Sequence, residues 1–184
     1  DSPAAPKFNI ISKPNNWSKT ISQAAKNISG GGRVGAMYQL YWQGLVDYLE
    51  SKNSKLRPPP PSSENYQWFP VGRTGFGIEA TLHRIENKIS VDLYIAVKGK
   101  SKAYYNLLEQ DKEAIEKEIG ADLEWDAKPG KVVSKIIISK NFDVDMENTD
   151  DWSNQHEWLK TYIEKFDTVF RPRVKNLSVD NSND

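Results

Sequence analysis

A chain of 184 residues is long enough for one domain with a substantial core, since about two-thirds of the surface of a chain this size is buried on folding. Its 25 Lys and Arg balance 25 Asp and Glu, so no net charge calls for nucleic acid or an anionic membrane; yet residues 1–60 hold eight Lys/Arg against three Asp/Glu, and residues 141–168 eight Asp/Glu against two Lys. The lack of cysteine excludes disulfides, thiol nucleophiles and iron–sulfur clusters, two histidines leave any zinc site dependent on carboxylates, and no apolar run is long enough to span a membrane.

Residues 1–32 read as a linker, rich in Pro, Ser and Gly, in which Ile10, Ile11, Trp17, Ile21 and Ile28 offer docking points. A domain follows over 33–176, and 177–184 is a polar tail. Met37, Tyr41, Leu45, Tyr48 and Leu49 recur at helical spacing and predict a first helix over 34–50. Pro58-Pro-Pro-Pro61 then imposes an extended spacer. Tyr66–Val71 and Ile78–Arg84 read as strands joined by a glycine-rich turn with Arg73 solvated at its tip, and the strict alternation of Ile89, Val91, Leu93, Ile95 and Val97 gives the central strand, one face of which is wholly aliphatic. A helix over 102–119 is expected next, then strands near 123–125 and 132–138, then an aromatic-faced helix over 153–170 that Pro172 ends. The fold class is therefore α+β, a mostly antiparallel sheet of about five strands with three main helices in the order α-β-β-β-α-β-β-α.

Chemistry is sparser. Glu79 and Asp92 fall side by side on the outer face of the hairpin, with His83 further along, which is a polar sheet face unless something covers it. His156, inside the aromatic last helix, has the chemistry of a general base or ligand and the surroundings of a packed core residue. Glu79, Asp92 and His156 are the catalytic candidates. Glu86-Asn-Lys88 matches the short acid-x-lysine element of restriction-type nucleases but falls in a turn, and the acidic stretch 143–151 lacks the glycine of a calcium loop. No metal or cofactor is expected. Arg73, Arg84, Lys98, Lys100 and Lys102 are the candidate phosphate contacts, and Trp68 is the candidate stacking surface.

Lys13-Pro-Asn-Asn-Trp-Ser-Lys19, Tyr41-Trp42, Val71-Gly-Arg-Thr-Gly75, Val91-Asp-Leu-Tyr-Ile95, Leu123-Glu-Trp125, Asp151-Trp-Ser-Asn-Gln-His-Glu-Trp158 and Phe166-Asp-Thr-Val-Phe-Arg171 together resemble a bacterial and archaeal family, the domain of unknown function 4268. That resemblance implies a C-terminal domain of longer, nuclease-like proteins, with 1–32 as the interdomain linker and the catalytic half outside this chain, as Asp1 in place of an initiator methionine also suggests; with no apolar span and no signal-peptide core, the cytoplasm is the expected compartment. It carries over no catalytic residue. The expected role is a non-catalytic accessory domain that binds DNA or forms a homodimer beside the upstream nuclease-like domain. A metal-dependent hydrolase using Asp92, Glu79 or His156 and a protein-interaction module using exposed tryptophans are the alternatives.

Overall fold

The computed structural model describes residues 31–179. Helix α1 (Gly31–Ser51) follows the apolar stripe, burying Tyr41, Trp42, Leu45 and Leu49, and it begins within the glycine run expected to be linker. Strands β1 (Tyr66–Pro70), β2 (Phe76–His83) and β3 (Lys88–Ile95) then form an antiparallel meander. Asn87 closes the β2–β3 hairpin with φ near 47°, a left-handed conformation that asparagine tolerates.

The helix expected over 102–119 is two helices, α2 (Ser101–Glu109) and α3 (Lys112–Ile119), broken at Gln110-Asp111. Gly120 ends α3 with φ near 75°, the usual left-handed close. Short β4 (Glu124–Asp126) and long β5 (Ser134–Asn141) complete one sheet in the order β1-β2-β3-β5-β4, with every neighbouring pair antiparallel. Helix α4 (Trp152–Asn176) runs six residues past its expected end, straight through Pro172. Burial of Phe170 and Val174, both fully inside, and capping of its last turn by Arg73 offset the missing proline N–H.

Ile78, Ala80 and Leu82 of β2, Ile89, Val91, Leu93 and Ile95 of β3, and Ile136 and Ile138 of β5 all project to one side by register. Helix α4 lies on β2 and β3, α2 on β3 and β5, and α1 and α3 pack on α4, so the helices share that side. The aliphatic face predicted from the alternation is the floor of the core.

The proline connector packs beside β1, an outer strand of the sheet among the described residues. Buried Gln67 of β1 donates through Nε2 to the carbonyls of Pro59 and Pro60 at 3.4 and 3.2 Å, and accepts from the Ser62 N–H at 2.8 Å. Prolines beside an edge strand offer no N–H for further pairing.

Candidate functional site

No helix among the described residues lies on the other side of the sheet, and there the residues of three strands converge. Glu79 and Asp92 are direct cross-strand partners, as expected. Lys135 of β5 joins them, its Nζ 2.8 Å from Glu79 Oε1 and 2.7 Å from Asp92 Oδ2. Asp92 is only 1% exposed, and its Oδ1 has no hydrogen-bond partner among the described residues. Burial therefore pushes its pKa up to about 7 against the pull of Lys135. Burial alone would lower the pKa of Lys135, but the charges and hydrogen bonds of Asp92 and Glu79 outweigh it and raise it. The pair is lopsided, because the more deeply buried, half-bonded carboxylate bears the desolvation cost.

Lys135 was not among the sequence candidates. Its signal is its parity: it alternates with Ile136 and so faces away from the core, but nothing local reveals that β5 pairs with β3.

Two carboxylates and a lysine on adjacent strands are the donor set of a magnesium nuclease. Here the ammonium itself sits between the two carboxylates, in the place a cation would take. No group of three His, Asp or Glu side chains among the described residues could hold a metal ion.

Around this centre lies an ordered strip. The indole of Trp68 lies across Gly77, where a Cβ would come within 2.0 Å of the ring. It meets Tyr94 edge-on with ring centres 5.6 Å apart, and the Lys135 ammonium sits 5.0 Å above the Tyr94 ring. His83 bonds Ser90 Oγ at 2.9 Å towards the other end of the face, and burial followed by the charge of Lys88 lowers its pKa.

His156 is apart from all of this. It is packed in the seam between α1 and α4 against Tyr41, with ring centres 4.7 Å apart, and beside Trp152. Burial drives its pKa down to about 3, only partly offset by its hydrogen bond to the Tyr41 backbone, so the ring is neutral. Glu79, Asp92 and His156 thus form no common centre.

The cations divide by the end of the sheet they occupy. Pro70, Gly77, Tyr94 and Lys135 share one register row near one end, and Tyr66, Thr81, Ser90 and Ser139 one near the other. Arg84 is exposed at the second end, beyond His83, away from the other four basic candidates. Lys98 is exposed and Lys100 half-buried just past β3, at the Pro70 end.

Arg73 and Lys102 lie at that end too but are turned inward. Contrary to the solvated tip expected, the Arg73 guanidinium donates to the carbonyls of Val174 and Leu177 and to Tyr104 Oη, each at 2.7 Å. The Lys102 ammonium donates to the carbonyls of Ala127, Lys128 and Val133 and to Ser134 Oγ, tying the β4–β5 loop to α2.

The structure adds cations that sequence reading did not single out. Lys55 and Arg57 of the connector and Arg171 of α4 line a groove of about 380 Å³ at the same end, floored by Leu56, Phe69 and Pro70. Asp167 pairs with Arg171, which also donates to the Pro70 carbonyl at 3.0 Å, so the guanidinium is fixed in orientation. The acidic loop that follows β5, with exposed Asp143, Asp145, Glu147 and Asp150, lies at the opposite end. Among the described residues, the basic connector pair Lys55 and Arg57 and the acidic loop thus lie at opposite ends of the sheet.

These features define an α+β domain whose described helices lie on one side of an antiparallel sheet. Residues 37–174 match the model of a domain of unknown function, DUF4268, and the chain belongs to that family. No curated protein matches it. Among solved structures, YbjN of E. coli, a suggested transcription regulator, is 14% identical over 69% of this chain and 91% of that one, with a TM-score of 0.33. No helix among the described residues is long and apolar enough to cross a membrane.

Proposed function

We propose that this domain is a non-catalytic accessory module that holds nucleic acid by its phosphates at the Pro70 end of the sheet, in service of a nuclease-like domain of the same cytoplasmic protein. The carrying observation is the groove of Lys55, Arg57 and Arg171, placed at the same end as Lys98 and Lys100 and opposite the acidic loop. Lys55 and Arg57 are two residues apart in the connector, so their stems leave the backbone at most about 7 Å apart and can address successive phosphates of one strand. The internally neutralised Glu79–Lys135–Asp92 cluster argues against catalysis on the outer face.

The test is fluorescence anisotropy of a labelled DNA duplex at low and moderate salt. Affinity is expected to fall steeply with salt, and the double variant Lys55→Glu/Arg57→Glu to bind at least about tenfold more weakly, with a log–log salt slope flatter by about 2. Arg84→Glu, at the far end, should bind as the unaltered chain does. No binding at low salt, or an Arg84→Glu loss as large as that of the double variant, would overturn the reading.

A further inference from the structure

The groove at the Pro70 end contains more than a site for phosphate alone requires. Building on the phosphate-holding reading, we infer that it takes in one unpaired nucleotide, base against the floor and phosphate at the rim, so that the domain holds a single strand of nucleic acid in preference to a duplex.

Three observations lead there. First, the floor is apolar: Leu56 is half-buried, Pro70 is exposed, and Phe69 beneath the surface is only 3% exposed. A phosphate would lose water there and find no donor in return. The face of a base packs well on such a surface, but in a duplex the bases are stacked inside and the phosphates stand outermost, so only an unpaired strand has a base to offer.

Second, the wall carries a carboxylate. Asp167 lines the groove together with the three cations and repels a phosphate that comes close to it. Its Oδ1 accepts from Nε and Nη2 of Arg171 and its Oδ2 from Nε at 3.2 Å, which leaves Oδ2 able to accept once more. The exocyclic amine of a base is the donor that a carboxylate reads.

Third, the rim has both a fixed and two free cations. Arg171 is held by Asp167 and by the Pro70 carbonyl, while its Nη1, beside Gly72, donates to nothing among the described residues. Lys55 and Arg57 form no ion pair among the described residues, so both remain available to the phosphate. The volume of about 380 Å³ is near the lower end of the range for ligand pockets, about 300–1,000 Å³, which suits a single nucleotide and excludes a stack of base pairs.

The test is fluorescence anisotropy of the full chain at low salt with two labelled DNAs of equal length, an unstructured single strand and a blunt duplex closed by G·C pairs. Charge alone would favour the duplex, whose phosphates are denser. The single strand is nevertheless expected to bind at least about fivefold more tightly, the scale of one packed base. Leu56→Ser, checked by circular dichroism to be folded, should weaken the single strand at least about threefold and leave the duplex unchanged, whereas Lys55→Glu/Arg57→Glu should weaken both. Free deoxycytidine monophosphate at roughly millimolar concentration should not displace the strand, since it lacks the neighbouring phosphates. Equal or tighter binding of the duplex would overturn the inference and leave the phosphate reading standing, as would a folded Leu56→Ser chain that loses both DNAs alike. Displacement of the strand by the free nucleotide would assign the groove to mononucleotides and overturn it equally. Binding of neither DNA would overturn the phosphate reading and this inference with it.

Discussion

Gly44 leaves room for one ring and nothing more: a Cβ there would lie 2.8 Å from His156 Cε1. Gly44→Ala should therefore force α1 off α4 and destabilise the fold by about 1–3 kcal/mol, measured by denaturant unfolding. The same histidine gives a pH signature. With its folded pKa near 3 against an ordinary value of 6.5, the unfolded chain binds a proton between those values that the folded one refuses. Its contribution is complete above about pH 6.5 and fades as pH falls towards 3, and the ring should show no NMR titration between pH 5 and 8. Asp92 runs the other way. Its pKa near 7 lies above its ordinary 3.8, so the folded state holds the extra proton, and the contribution present below about pH 3.8 is lost as pH rises through 7. Asp92→Asn, which keeps Lys135 paired to Glu79, should flatten that part of the stability profile; an unchanged profile would show that Asp92 does not titrate there.

At the scale of elements, α4 is set by two forces that its sequence expresses unequally. Its aromatic face was legible from spacing, because Leu159, Ile163, Phe166 and Phe170 recur at helical period and are all fully buried. Its length was not, because the group that caps it past Pro172 is Arg73, about a hundred residues earlier. Arg73→Ala should cost about 2–3 kcal/mol, the scale of hydrogen bonds to a charged group left unmade, and should fray the last turn in hydrogen exchange; an unperturbed turn would contradict the clamp. Lys102 illustrates the same limit. A lysine in a connector reads as solvated, and only the return of the β4–β5 loop surrounds it with carbonyls. The β2–β3 hairpin, by contrast, was fully legible, since its alternation, its turn chemistry and the Glu79–Asp92 pairing are all local. Lys135 escaped notice for the converse reason, since β4, α2 and α3 separate the two strands it joins.

At the scale of the molecule, the described helices close one side of the sheet, and the Lys55–Arg57 connector and the acidic loop lie at its opposite ends. The bias was visible in the sequence as a basic first third and an acidic stretch late in the chain, but the end-to-end arrangement needs the register that carries β5 towards the acidic loop and the connector towards Arg171. A field of this kind orients a polyanion before contact and works through salt-dependent phosphate pairing. The most direct measurement is an amide NMR titration of the isotope-labelled chain with a short DNA duplex. Shifts should gather at residues 55–57, 98–100 and 171 and spare 84–88 and 143–151; shifts centred on Trp68 and Tyr94, or none at low salt, would contradict the phosphate-holding end.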